Sequence, residues 1–89
     1  MKNKNAVLIG QDQRDAIERL ERDPIIVEML CEFVNAGYDP STEIMGPNAW
    51  SFISAASKEY HRRGGTNSRA IGDVSTAMIN LDNRLRPKS

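Results

Sequence analysis

The sequence contains very little of what catalytic, metal-binding and secreted proteins usually need. It has one cysteine and one histidine among 89 residues. One cysteine cannot form an internal disulfide or supply a zinc cluster, which is typical of a protein kept in a reducing compartment. The longest apolar runs, 6–9 and 25–27, are far shorter than the roughly 20 residues of a membrane helix. We therefore expect a cytoplasmic protein with no membrane span, no secretion signal, no metal and no cofactor.

The chain also lacks net charge, because 12 Lys and Arg balance 12 Asp and Glu. This balance argues against a strongly basic arm that clamps nucleic acid and against an acidic tail. The two signs are nevertheless separated: residues 11–43 carry nine acidic and three basic side chains, and residues 58–89 carry seven basic and three acidic. Such a separation suits contact between unlike faces of two molecules, or pairing within one fold.

The residue types that most often carry catalysis are not placed together. Cys31 lies in an apolar stretch and is expected to be buried, whereas His61 ends a different helix and is expected to be solvated. This spacing places no base beside a nucleophile. Glu28 and Glu32 lie one turn apart, but they form the polar stripe that lets their helix face water. We therefore predict that the protein is not an enzyme.

What the sequence does contain is a series of helix start and stop signals. Asp23-Pro24 and Asp39-Pro40 each combine an N-cap residue with proline at the first helical position. Gly37 and Gly64-Gly65 are typical helix stops. Apolar residues recur at spacings of three and four, and the predicted helices are 12–22, 24–36, 47–63 and 66–84, with a single turn at 40–45.

The predicted fold class is all-α, a compact bundle of about four helices with a short N-terminal arm. The arm comprises residues 1–10, the single helical domain residues 11–86, and a polar tail residues 87–89. The second helix is apolar over most of its circumference, so it must be covered on several sides. It is either the central element or the seam of an oligomer, and we predict a homo-oligomer with Met29 and Phe33 in the interface.

A basic turn before the last helix has the composition of an anion site. Arginine forks, glycines that expose backbone N–H groups and short polar side chains converge where a helix is predicted to begin. The candidate ligand-binding residues are Arg62, Arg63, Gly64, Gly65, Thr66, Asn67, Ser68 and Arg69. The same residues are also explained as a helix stop followed by an N-cap run.

Two functions follow from these patterns. The first is a small non-enzymatic protein–protein regulator, an inhibitor or adaptor of the kind that phages and mobile elements encode, with another protein as its partner. The alternative is a module that binds a phosphorylated ligand, either a nucleotide or a nucleic-acid backbone, through the basic turn.

Overall fold

The structure, a computed structural model, describes residues 2–86, and of residues 2–10 it describes the backbone alone. Five helices follow one another: α1 (Lys2–Glu21), α2 (Pro24–Asn35), α3 (Pro40–Met45), α4 (Ala49–Arg62) and α5 (Asp73–Leu85). These helices contain 65 of the 85 described residues, and none of the described residues forms a strand. The prediction of an all-α bundle is confirmed, and α3 is the single turn predicted at 40–45. The predicted polar tail lies outside the described residues.

The first helix is longer than predicted, because the N-terminal arm is itself helical. Residues 2–10 form the first half of α1, which was expected to begin at Asp12. A glycine inside a helix costs only about 1 kcal/mol relative to alanine, so Gly10 does not end it. Neither this helix nor any other in the described part of the chain has the length and apolar character needed to cross a bilayer.

The caps of α2 and α3 are those predicted from the two Asp-Pro pairs. The Asp23 side chain accepts a hydrogen bond from the Ile25 backbone N–H at 3.0 Å, and the Asp39 side chain accepts one from the Ser41 N–H at 3.0 Å. Each carboxylate thereby satisfies a backbone donor that has no partner within its own helix.

The predicted glycine stops are also present. Gly37 and Gly64 have φ angles of +96° and +92°, a left-handed conformation that glycine adopts without steric cost.

The start of the last helix was predicted wrongly. It was expected in the run 66–68, yet α5 begins at Asp73. The Asp73 carboxylate accepts hydrogen bonds from the backbone N–H groups of Arg69 and Ala70, both at 2.9 Å. These bonds hold 69–72 as a turn, so the preceding N-cap residues do not start a helix.

One hydrophobic core holds the helices together, and α5 is its central element because it packs against all four other helices. The largest fully buried apolar side chains are Tyr60, Leu20, Ile26, Met78 and Val74. One expectation about burial was wrong, because Cys31 is exposed. Trp50 of α4 is also 65% exposed.

Candidate functional site

An open apolar groove of about 480 Å³ lies between α2 and α4, with Met78 of α5 among its lining residues. Phe33 is central to its aromatic lining, because its ring stacks on Phe52 with centroids 5.2 Å apart and on Tyr38 at 5.1 Å. The apolar lining residues are Met29, Phe33, Ala36, Tyr38, Phe52, Ala55, Ala56 and Met78. Met29 and Phe33, the two residues predicted to form an interface, thus lie in the same concave surface.

The groove is open because its α4 wall is built from small residues. Ser51 and Ala55, one turn apart, are both exposed and line it, and Ala56 lies beside them. Side chains of this size leave space over Phe33 that larger residues would fill. Small residues on a helix surface also allow another helix to approach closely.

An ion-pair cluster centred on Arg63 closes one end of the groove. The Arg63 guanidinium donates to Glu28 Oε1 at 2.6 Å, to Glu32 Oε1 at 2.7 Å and to Glu59 Oε2 at 2.6 Å. Glu59 also accepts two hydrogen bonds from Arg62, at 2.8 and 2.6 Å. The polar stripe of α2, expected simply to face water, therefore joins α2 to the C-terminal end of α4.

Two carboxylates of this cluster have lowered pKa values. Hydrogen bonds from Arg62 and Arg63 lower the pKa of Glu59 to about 2. A hydrogen bond from Arg63 likewise lowers the pKa of Glu32, and the carboxylates of Glu32 and Glu59 raise the pKa of Arg63. The groove therefore keeps ionised side chains beside its apolar floor at neutral pH.

The predicted anion site is divided between different surfaces of the molecule. Arg62 and Arg63 bind the glutamates of the cluster, whereas Arg69 pairs with Asp12 of α1 at 3.3 Å. All three arginines thus have carboxylate partners within the chain.

Two residues of the basic turn hold the loop against Tyr60. Gly65 is buried, and a Cβ atom at its position would lie 2.2 Å from Tyr60 Cζ. The Tyr60 hydroxyl donates to Asp23 Oδ2 at 2.7 Å and accepts from the Asn67 N–H at 2.8 Å. The Asn67 side chain also donates to Asp23 Oδ2, at 3.1 Å. Gly65 and Asn67 are therefore structural residues in this conformation.

The rest of the turn borders a second, smaller depression of about 260 Å³. Ser68 and Arg69 line it together with Ser57 and His61. Thr66 is exposed, and the Ser68 hydroxyl donates to the Ala70 carbonyl at 3.0 Å. Binding of a phosphorylated ligand at this turn stays a prediction.

Comparison with known proteins identifies a phage relative. The chain is 33% identical over 82 residues to Gene 80 protein of Mycobacterium phage L5, an alignment that covers 89% of each chain. The chain belongs to the family of Gene 80 protein. No protein-family model matches this member of the Gene 80 family, and no solved structure matches it.

In this member of the Gene 80 family, sequence reasoning missed the role of Asp73. The side chain is fully buried, and besides the two backbone N–H groups it accepts a hydrogen bond from Gln13 at 3.1 Å. An aspartate three or four residues after Arg69 and Ala70 is the signal of a side chain that caps a turn. Its tie to Gln13 of α1 spans 60 positions, and no local pattern indicates it.

Proposed function

We propose that this protein is a small non-enzymatic regulator that binds another protein through the groove between α2 and α4. The observation that carries the proposal is the groove of about 480 Å³, with aromatic and methionine side chains along its lining. A chain of 10.0 kDa has few apolar residues beyond those that its core requires. An open concave surface with an apolar lining suits the side chains of a bound segment.

The composition of the groove agrees with that of protein interfaces. Aromatic residues, methionine and arginine are enriched in interfaces, and Phe33, Met29 and Arg63 represent these types here. Methionine is flexible and polarisable, so it adapts to partners of different shape. Polar residues such as Ser51 and Glu32 also line the groove, and polar contacts are a regular part of protein interfaces.

The ionised groups of the groove are poorly suited to catalysis. Glu59 has a pKa of about 2, so it holds no proton at neutral pH to donate as a general acid. Both oxygens of Glu32 accept hydrogen bonds from Arg63, which leaves this carboxylate a weak base.

Kinship with Gene 80 protein agrees with a small protein of the kind that phages encode. We place its action in the cytoplasm, where the exposed thiol of Cys31 would stay reduced.

The experiment that tests this proposal blocks the groove without disturbing the core. Ser51 is exposed and lines the groove, so Ser51→Trp fills part of it with an indole ring. Lys58 is exposed on the same helix and does not line the groove, so Lys58→Trp is the matched control. The wild type and both variants are immobilised and exposed to a mycobacterial extract, and the retained proteins are quantified by mass spectrometry.

We expect a protein that the wild type and Lys58→Trp retain and Ser51→Trp loses. That protein is then purified and titrated against all three chains, where Ser51→Trp should weaken binding by at least about tenfold, a loss of roughly 1.4 kcal/mol. Equal affinity for Ser51→Trp and the wild type would contradict binding through the groove.

A further inference from the structure

We propose that the segment bound in the groove is a basic amphipathic helix of about four turns, supplied by a different protein. This inference rests on the proposed function, because it concerns the chemistry of the partner at the same surface. The length of the groove, its charge and the pairing of this chain's own arginines support it.

The groove is long enough for a helix. Its lining residues on the α4 side run from Asn48 to Arg63, fifteen residues apart. At a rise of 1.5 Å per residue, this wall is about 22 Å long, the length of about four helical turns. Along this wall the apolar residues Phe52, Ala55 and Ala56 lie between polar residues at both ends, which suits an amphipathic helix with apolar side chains at its middle.

The polar residues around the groove favour a basic partner. Its charged lining residues are the carboxylates of Glu32, Glu43 and Glu59 and one guanidinium, that of Arg63, so the groove carries a net charge of minus two. Arg63 is 19% exposed and already surrounded by glutamates, so it offers an incoming helix little positive charge. Lysines or arginines beside the apolar face of the partner would complement this rim.

Two carboxylates are accessible to such a partner. The Glu32 side chain is 59% exposed although it pairs with Arg63. Glu43 of α3, which also lines the groove, forms no ion pair with the residues that the structure describes. Basic side chains on a partner helix could therefore meet both carboxylates.

Among the residues whose side chains the structure describes, a second copy of this chain offers no matching helix. All five arginines after position 60 bind carboxylates of their own chain: Arg62, Arg63, Arg69, Arg84 and Arg86. On α1 the arginines of residues 11–22 alternate with acidic residues, which are in the majority. Lys58 of α4 is exposed but stands next to Glu59. The part of the chain with described side chains thus supplies no basic polar face, which favours a helix from another protein.

The test uses two fluorescein-labelled peptides of about 18 residues, each designed as an amphipathic helix. Both have the same leucine face, and the polar face is lysine in one and glutamate in the other. Binding to the full chain is followed by fluorescence anisotropy at low and at physiological salt. We expect the lysine peptide to bind at least about tenfold more tightly at low salt, and the difference to shrink as salt screens the charges.

Variants locate the binding site. Glu43→Lys should weaken binding of the lysine peptide about fivefold, because an attraction at the rim becomes a repulsion. Glu18→Lys makes the same change of charge on an exposed part of α1 and should alter affinity less than twofold. Ser51→Trp should weaken binding of both peptides.

Three results would overturn the inference, and each leaves the proposed function separately testable. Equal or tighter binding of the glutamate peptide would exclude a basic partner, and equal effects of Glu43→Lys and Glu18→Lys would exclude the groove rim. If neither peptide binds and light scattering gives twice the mass of 10.0 kDa, a second copy occupies the groove. The proposed function is contradicted by a different observation, namely a partner protein that binds Ser51→Trp as tightly as the wild type.

Discussion

Tyr60 connects two segments that are far apart in the sequence. Its side chain is fully buried, its ring lies against Gly65, and its hydroxyl joins Asp23 to Asn67. Burial and the nearby Asp23 carboxylate raise its pKa, so the hydroxyl keeps its proton and continues to donate. The loop after α4 is thereby fixed to the start of α2.

Replacing Gly65 should therefore destabilise the fold. In Gly65→Ala the new methyl group would overlap the Tyr60 ring, and the repacking should cost at least about 2 kcal/mol. Gly72→Ala is the control, because a Cβ atom at that position meets nothing within 4 Å. Alanine reduces the conformational freedom of the unfolded chain, and this effect offsets the weaker N-cap that it gives α5. The free energy of unfolding of Gly72→Ala should therefore change by less than about 1 kcal/mol. Urea titration measures both, and equal effects would contradict the contact.

Adjacent arginines should differ in their importance for stability. Arg63→Ala leaves three neighbouring glutamates without their common guanidinium, and we expect the melting temperature to fall by about 5 °C or more. The Arg62 side chain is 70% exposed and pairs only with Glu59 among the described residues. Arg62→Ala should therefore lower the melting temperature by less than about 2 °C. Thermal unfolding by circular dichroism measures both, and similar losses would show that the cluster adds nothing beyond ordinary surface pairs.

At the scale of elements, the junction of α2 with α4 should make the fold sensitive to acid. The pKa of Glu59 is about 2 in the folded chain, below its ordinary value of 4.5. A lowered pKa stabilises the folded state above the ordinary value, and this stabilisation is lost as pH falls towards 2. The pKa of Asp23 is also lowered, because hydrogen bonds from Tyr60, Ile25 and Asn67 outweigh the opposing effect of burial.

We therefore expect the melting temperature to stay nearly level from neutral pH to about 5 and to fall steadily below that. Glu59→Gln should melt lower than the wild type at neutral pH and show a shallower acid decline. Glu18→Gln, on an exposed part of α1, should follow the wild-type curve. An unchanged acid slope in Glu59→Gln would mean that other carboxylates determine it.

Local signals in the sequence were enough to predict most of the elements, but they could not predict how the elements meet. Asp23, Asp39 and Gly37 act on neighbouring backbone groups, so their patterns identified α2 and α3. The start of α5 was missed because a buried carboxylate from further along the chain holds the preceding turn. The partners of Arg63 lie 31 and 35 positions away, and only the folded chain brings them to it.

The groove, too, could not be predicted from local signals in the sequence. Met29 and Phe33 were singled out because α2 has too many apolar residues for one buried face, a property of one helix. Their use as the lining of a concave surface depends on α4 and α5 as well. The predicted homo-oligomer stays a prediction, because the structure gives these residues a place within one chain.

At the scale of the whole molecule, the separated charges of the sequence are paired within the fold. Arg63 binds Glu28 and Glu32, Arg69 binds Asp12, and Arg84 binds Glu21. Each pair joins the acidic part of the chain to the basic part. The asymmetry therefore helps to bring distant segments together, although exposed pairs of this kind contribute little individually.

Stability itself should depend on the single core. Leu20 is fully buried, so Leu20→Ala should cost about 2–5 kcal/mol, a large share of the stability of a domain this small. Leu85 is 62% exposed, and Leu85→Ala should stay within about 0.5 kcal/mol of the wild type. Urea unfolding followed by circular dichroism tests this, and a small effect at Leu20 would show that α1 is only loosely attached.

The contacts around Tyr60 also restrict which substitutions evolution can accept at the residues involved. Asp23, Tyr60, Gly65 and Asn67 share one hydroxyl and one ring, so a mutation at one position changes what is acceptable at the others. A side chain larger than hydrogen at position 65 would require a smaller one at position 60, and loss of the hydroxyl would remove the shared partner of Asp23 and Asn67. In distantly related proteins these four positions should therefore vary together. Finding all four residues in a sequence would identify a homologue even where the overall sequence identity is low.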